Sequence, residues 1–382
     1  MRIAHISDTH LGYRQYNIDD REIDIYDSFN EAIDNVLKER VDIVIHSGDL
    51  FDSPTPSIKA LKVFKECMRK ISDRVKFLAV LGDHDTPKRR GLYPHSLFDE
   101  VKVLGFGELD SVEVNGVLIA GISNLRGRSI DLLRLELKKF DAIAKDYSKS
   151  ILILHQGIDR YLPFEGAYEI REDEMPRSAS YYAMGHLHNR VVSRFGGGFL
   201  AYAGSTEIIS KDEISSWVKD GKGFYIVDFD GDEPNIHKIN LTIRPQISYE
   251  LDIPSKDMIS GILKNIDGDL KNMSKLSEKL PIIHSTIKCK PMDRQQIFNT
   301  LNNYFKDKVL SMRINLLEEI MPISLESIKD TTNLKDLLSE ILKKHGLTDE
   351  RFVNLALELH DLLGADELEE AKKLIEKFFE VS

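Results

Sequence analysis

Five short pieces carrying Asp or His stand at the ends of apolar β-type runs: DTH (8–10), GDLFD (48–52), GDHD (82–85), HQG (155–157) and GHLH (185–188). That arrangement constrains the fold more than any other feature of the chain. The runs RIAHIS (2–7), VDIVIHS (41–47), VKFLAVLG (75–82) and SILILHQ (150–156) are nearly continuous β-branched or leucine stretches, as in strands buried on both faces. SYYAMGH (180–186), FLAYAG (199–204) and GFYIVDFD (223–230) read as further strands. Between the early runs, Tyr26, Phe29, Ile33, Val36 and Leu37 recur at helical spacing. Leu61, Phe64, Met68 and Ile71 do the same, with Pro54 and Pro56 ahead of their helix. Strand–helix–strand alternation over the first 230 residues predicts a layered α/β fold. In open α/β sheets ligands collect beyond the carboxyl ends of the strands, where all five pieces fall.

The spacing within the pieces points to metal. Asp8 and His10 are two apart, as are His186 and His188, so on extended chain each pair shares a face and forms a local clamp. Asp49 follows Gly48 in a turn and can bridge two ions through its two oxygens. Asp83 and His155 complete an oxygen–nitrogen set. Mixed Asp/His ligation without cysteine favours Mn2+, Fe2+ or Zn2+ and leaves positions for solvent. One DxH alone is common by chance, and a single His155 at a strand end is more often a structural histidine. The ordered conjunction of five pieces carries the reading. His5 and His46 lie inside strand runs and read as buried, hydrogen-bonded histidines.

The chain's net charge of -11 argues against a surface that wraps nucleic acid everywhere, but not against a local basic track. Lys88, Arg89 and Arg90 directly follow the GDHD piece, where they can neutralise backbone phosphates. Arg14 and Arg190 border other loops and extend the candidate DNA-binding set. Arg126 and Arg128 read equally well as solvated surface cations. Cys67 and Cys289 are far apart, so no disulfide framework is expected. No apolar run approaches the ~20 residues that span a bilayer. The N-terminus shows no basic region followed by an apolar stretch. A cytoplasmic, nucleoid-associated protein without membrane partners is the expectation. No GxxxxGK[ST] is present, so any nucleotide control must come from another chain.

The 382 residues suggest two or three domains. The first would end near 245. Residues 246–322 read as strand, helix, strand, helix, strand, a small appended α/β capping domain; 323–333 read as a linker. From 334 to 382 the chain reads as a helical segment with leucine-rich stripes, twelve acidic and seven basic side chains. A net charge of -5 makes it a poor DNA binder, so the stripes need another surface. Leu337, Leu338, Ile341, Phe352, Leu355 and Leu359 are the candidate partner-binding residues. Packing on the preceding domain is the alternative.

The pattern D-x-H … GD … GDHD … H … GH-x-H over residues 8–188 resembles the calcineurin-like metallophosphoesterases. ISDTHLGYRQY, VIHSGDLFD, GDHDTPKRRG, ILHQG, YYAMGHLHNR, AGSTEI and GKGFYIVDF further resemble archaeal double-strand-break repair nucleases of the meiotic recombination eleven family, cousins of bacterial SbcD. The resemblance implies a layered metallophosphoesterase sandwich with the appended capping domain contacting DNA. It implies two Mn2+ per subunit: Asp8, His10, Asp49 and His188 around one, Asp49, Asp83, His155 and His186 around the other. His84 would be unliganded and catalytic, facing the scissile phosphate. The implied activity is double-strand exonuclease and single-strand endonuclease in homologous recombination. The implied partners are broken DNA ends and a Rad-fifty-type ABC ATPase, whose coiled coil the C-terminal helices grip. A homodimer, and a heterotetramer with the ATPase, would follow; Leu61, Phe64, Leu97 and Phe98 would lie near that dimer interface, though core packing explains them equally.

Two departures matter. Many superfamily members carry Asn where this chain has Asp83, and some relatives have His at Asp52. Against two divalent ions a third carboxylate predicts tighter metal retention and a weaker pull on phosphate. Two other functions are consistent with parts of the pattern. One is a phosphatase or phosphodiesterase on another phosphoester, although GDLFDSP stands where protein phosphatases show GDxVDRG. The other is a non-catalytic DNA-end scaffold for the ATPase, which would have no use for an unliganded His84.

Overall fold

The computed structural model describes residues 1–87, 91–162, 167–253, 258–273, 275, 277–290, 293–318, 335, 338–339, 342–343, 349–364 and 368–380. The chain divides into two compact units, Met1–Leu317 and Glu318–Ser382. In chain order the strands of the first unit are β1 (Arg2–Ile6), β2 (Ile43–His46), β3 (Lys76–Ala79), β4 (Val101–Val103), β5 (Asp110–Val114) and β6 (Val117–Ile122). They continue with β7 (Ser150–His155), β8 (Tyr181–Gly185), β9 (Val191–Phe195), β10 (Gly198–Tyr202), β11 (Gly223–Asp228) and β12 (Asn235–Asn240). One six-stranded sheet runs β12-β11-β1-β2-β3-β4 and the other β5-β6-β7-β8-β10-β9. β1, β2 and β3 are mutually parallel, as are β6, β7 and β8, so their carboxyl ends emerge on one edge of each sheet.

The period of two sorts the strands' side chains into layers. Ile3, Ile43, Ile45, Leu78 and Val80 meet Ile119, Ile151, Ile153, Tyr181 and Ala183 in the core between the sheets. The opposite faces carry Ala4, Ile6, Val44, Phe77 and Ala79, which pack on α1 (Asp19–Lys38) and α2 (Ile58–Ile71) through Ile25, Phe29, Phe64 and Met68. On the far side Leu152, Leu154, Tyr182 and Met184 cover α3 (Ile130–Ala144) through Leu133, Leu137 and Phe140. The result is helix, sheet, sheet, helix. α2 begins where its chemistry dictates: Ser57, just past Pro54 and Pro56, accepts the Ala60 amide at 3.1 Å.

Five strands go beyond the sequence reading: β4, β5, β6, β9 and β12. β5, β9 and β12 pair antiparallel at sheet edges and turn alternate residues to solvent, so a hydrogen-bonded neighbour rather than an apolar run makes them strands. β6 is wholly buried and carries no Asp or His at its end. Residues 246–318 form a three-stranded sheet, β13 (Gln246–Ile253), β14 (Ile282–Cys289) and β15 (Ser311–Glu318), with α4 (Ile259–Met273) and α5 (Arg294–Phe305). Its core holds Ile253, Ile266, Ile283, Ile297, Leu301 and Phe305. Phe64 and Phe98 are buried, their rings 4.7 Å apart, so both serve the core, whereas Leu97 is 67% exposed. In the second unit, helices Glu350–Gly364 and Leu368–Glu380 meet with the Phe352 and Phe378 rings 5.3 Å apart. Among the described residues no helix is long and apolar enough to cross a membrane.

Candidate metal centre

The carboxyl ends of β1, β2, β3, β7 and β8 deliver the Asp/His pieces to one place. Glycines make this approach possible. A Cβ on Gly82 would lie 2.1 Å from Asp49 Oδ1, and one on Gly48, which adopts φ +99°, would lie 2.3 Å from His155 Nδ1. Asp8, His10, Asp49 and His186 themselves hold positive φ of 49°, 46°, 53° and 92°. Such conformations persist only where the surroundings over-determine them, and they cluster at functional sites. Asp85 supplies part of that support: its fully buried carboxylate accepts the Leu50, Phe51 and Gly82 amides and clasps the second piece to the third. The second Asp of GDHD is therefore a backbone clasp.

Two donor groups converge on Asp49. In the first, the Nε2 atoms of His10 and His188 face each other at 3.2 Å, with Asp8 Oδ1 3.9 Å from His188 Nε2. In the second, Asp83 Oδ1 lies 3.2 Å from His155 Nε2 and 3.6 Å from His186 Nδ1. Asp49 Oδ2 stands between them, 3.8 Å from His10 Nε2 and 3.3 Å from His155 Nε2. The other oxygen, Asp49 Oδ1, accepts the His84 amide at 2.9 Å. The ligand atoms of Asp8, His10 and His188 all lie within 4.8 Å of one another, as do those of Asp83, His155 and His186. Facing imidazole nitrogens and clustered buried carboxylates are the donor chemistry of divalent ions, and the residues fit them.

Neighbours orient His155, His188, His10 and Asp83. His155 Nδ1 donates to the Ser47 carbonyl at 2.8 Å, leaving Nε2 for the site. His188 Nδ1 donates to Glu213 Oε1 at 2.8 Å, and Glu213 is in turn held by the buried ammonium of Lys222. Burial works against its ionised form, but His188 and Lys222 outweigh it and hold the Glu213 carboxyl well below the usual range. Asp52 serves two histidines: its carboxylate lies 3.3 Å from His10 Nδ1 and its carbonyl accepts His84 Nδ1 at 3.0 Å. His84 is 44% exposed beside His10, at a ring separation of 4.8 Å. Arg126 Nη1 donates to Asp83 Oδ2 at 3.0 Å. Asp52, Glu213, Lys222 and Arg126 lie outside the sequence-derived site. The sequence marked Asp52 as a departure from relatives and Arg126 as a loop cation, without their contacts; for Glu213 the signal was SKDE (210–213), a capping box by its pattern, which concerns a helix start. His5 is buried between Tyr181 Oη and Ser47 Oγ, and His46 reaches Thr9 Oγ1.

Glu213→Gln should therefore keep the fold and loosen metal binding by about 10–100-fold. Calorimetric titration with Mn2+ measures this; unchanged affinity would show that His188 needs no carboxylate behind it.

Without metal the carboxylates hold protons on the histidines. Burial lowers the His10 pKa, but Asp52, Asp49 and Asp8 outweigh it and push it up to about 9. His155 likewise stands well above its ordinary value, as Asp49 and Asp83 overcome burial. A raised histidine pKa contributes stability that is complete below about 6.5 and lost as pH rises through about 9. A bound cation displaces those protons, so metal binding tightens over the same window. The difference in unfolding free energy between Mn2+-loaded and chelator-treated protein, followed by thermal and urea unfolding, should widen from pH 6.5 to 9, reaching about 2.7 kcal/mol per site at 100 times Kd. A gap that stays constant with pH would contradict this.

The predicted DNA contacts divide. Lys88, Arg89 and Arg90 lie outside the described residues. Arg14 is 46% exposed and pairs with Asp19 at 2.7 Å. Arg190 is a correction: it is 8% exposed, and its guanidinium donates to the Asp220, Phe224 and Ile239 carbonyls and to Asn240. It ties the β11–β12 hairpin to the chain after GHLH; its Nη1 and Nη2 groups are engaged and its Nε is buried, which withholds the guanidinium from a phosphate. Of the candidate partner-binding residues, Leu337 and Ile341 lie outside the described residues, while Leu338, Phe352, Leu355 and Leu359 are half-buried.

Two stacked mixed sheets with an Asp/His cluster at their shared carboxyl edge define a metal-dependent phosphoesterase. Residues 1–190 match the calcineurin-like phosphoesterase family. The DNA double-strand break repair protein Mre11 of Sulfolobus acidocaldarius is 35% identical over 390 residues, spanning 99% of this chain and 98% of its own. That of Methanocaldococcus jannaschii is 35% identical over 365 residues, 93% of each chain. That of Thermoplasma acidophilum is 41% identical over 256 residues, 65% of this chain and 68% of its own. The chain belongs to the Mre11 family of DNA double-strand break repair proteins.

Proposed function

We propose that this protein is a Mn2+-dependent DNA nuclease that degrades duplex ends exonucleolytically and cuts single strands endonucleolytically. The observation that carries the reading is the convergence of Asp8, His10, Asp49, Asp83, His155, His186 and His188 into two adjoining donor groups with Asp49 between them, and His84 exposed at their edge. Asp8, His10, Asp49 and His188 would hold one divalent ion and Asp49, Asp83, His155 and His186 a second. Bound together, such ions supply positive charge for the approaching phosphodiester and make water a stronger nucleophile. The chain's own groups do the rest. The Asp52 carbonyl takes His84 Nδ1, so Nε2 is the ring atom left to hold a proton for the departing sugar oxygen. Lys88, Arg89, Arg90 and Arg14 would steady the backbone on either side of the cut, and residues 246–317 would extend that surface. The relatives' names support broken DNA as the substrate. A Rad50-type ABC ATPase is the proposed partner of the acidic C-terminal helices, within a homodimer that forms a heterotetramer with it.

The test is cleavage by the full chain, stripped of metal and resupplied with Mn2+. Blunt duplex DNA, circular single-stranded DNA and a phosphopeptide are offered in turn. Mn2+-dependent shortening of the duplex and nicking of the circle are expected, with the phosphopeptide untouched. Preferential dephosphorylation of the peptide would replace the nuclease reading by the phosphatase one, and metal binding without hydrolysis of any substrate would favour a scaffold.

A further inference from the structure

Asp83 sets a problem that Arg126 solves. Two divalent ions would bring +4 to the site, and Asp8, Asp49 and Asp83 bring -3. A centre so nearly neutral attracts a phosphodiester poorly. The Arg126 guanidinium donates from Nη1 to Asp83 Oδ2 at 3.0 Å, while Asp83 Oδ1 faces His155 and His186. The carboxylate is thereby divided: one oxygen for the site, the other occupied and its charge offset.

Arg126 is 54% exposed, yet the chain beneath it is anchored. Ser123 Oγ accepts the Leu81 amide at 3.0 Å, and the Asn124 amide donates to the Leu81 carbonyl at 2.8 Å. The Asn124 side chain donates to the His155 carbonyl at 2.8 Å. The loop after β6 is thus bonded to the chain that leads into Asp83 and to the backbone of a neighbouring donor, which places the guanidinium over Asp83. A solvated surface cation needs no such mounting.

We propose that Arg126 is a positioning residue that makes Asp83 a one-oxygen, charge-neutralised ligand, so that the centre keeps its pull on DNA despite the third carboxylate. The inference rests on the metal-centre reading and adds a charge pair to it. Removing either member unbalances the site in opposite directions, and removing both restores the balance.

The experiment is a double-mutant cycle in the full chain, with Mn2+ affinity read by calorimetry on metal-stripped protein and KM read on duplex DNA at saturating Mn2+. Arg126→Ala should tighten Mn2+ binding about 3–10-fold and raise KM, because an unpaired negative charge then faces the site. Asp83→Asn should weaken Mn2+ binding and lower KM. The Asp83→Asn, Arg126→Ala double variant should return both to within about threefold of the starting protein, and Arg126→Lys should leave Mn2+ affinity unchanged. Arg126→Ala that leaves Mn2+ affinity unaltered, or raises KM equally with and without the Asp83 carboxylate, would make Arg126 a plain DNA-facing cation and overturn the proposal. A starting protein that binds no Mn2+ would remove the metal-centre reading itself, whereas a cycle that fails on a metal-binding protein removes only the role of Arg126.

Discussion

His84→Gln is expected to cut Mn2+-dependent DNA cleavage by about 10²–10⁴-fold, the usual worth of a positioned proton donor, while leaving Mn2+ binding and melting temperature close to those of the unaltered protein. The separation of effects follows from the geometry. The link between this residue and the metal site is its backbone amide, which donates to Asp49 Oδ1, and substitution leaves the amide in place. The side chain stands beside His10, held by Nδ1 on the Asp52 carbonyl with the ring 44% exposed. A glutamine amide can also donate to that carbonyl but has no proton to give to a departing alkoxide near neutral pH. Calorimetry with Mn2+ and steady-state cleavage of duplex DNA, run on the same preparation, decide the matter. Cleavage within a few fold of normal would remove His84 from the chemistry. Loss of Mn2+ binding would make it a ligand, a role its ring nitrogen's distance from His10 and Asp49 also permits.

Arg21→Ala should destabilise the protein by about 3–5 kcal/mol, the cost of leaving buried charges without their partner. Arg21 is fully buried in α1. Its guanidinium donates to Gln15 Oε1 at 2.8 Å, Asp24 Oδ2 at 2.7 Å and the Ile208 carbonyl at 2.9 Å, and lies 3.3 Å from Glu207 Oε1. Asp24 also receives Arg244 and Lys279, whose pull outweighs burial and holds its carboxyl below the ordinary value. Gln246 donates to Gln15 and accepts from His284, so the network runs from the loop after His10 to the first two strands of the appended sheet. Without Arg21, Glu207 would remain wholly buried with no side-chain cation paired to it among the described residues. The expected drop in melting temperature is about 5–10 °C, measured by thermal and urea unfolding of metal-stripped protein so that metal linkage does not mask it. A loss below about 1 kcal/mol would mean that water or rearranged neighbours replace the guanidinium.

Both predictions concern residues whose visibility in the sequence differs. DTH, GDLFD, GDHD, HQG and GHLH each sit at the end of a strand long enough to read from its apolar run, and a strand end is a local property. For that reason β1, β2, β3, β7 and β8, with the Asp and His residues that follow them, were legible one piece at a time. The order of the sheets was not, since which strand lies beside which depends on long-range pairing. The edge strands β5, β9 and β12 were hidden for the same reason: partners rather than composition define them.

The sequence by itself determined the chemical inventory: three carboxylates, four histidines and, within the third piece, His84, at the carboxyl ends of an α/β sheet, because apolar strand runs and the residues that end them are written into consecutive positions. Tertiary structure alone decided how those groups are held. It put Glu213 behind His188, Asp52 behind His10 and His84, and Arg126 against Asp83, and it turned Arg190 inward. Each of these contacts joins residues 25 or more positions apart. No local pattern encodes such a pair; it exists only once two packed sheets bring distant loops within hydrogen-bond reach.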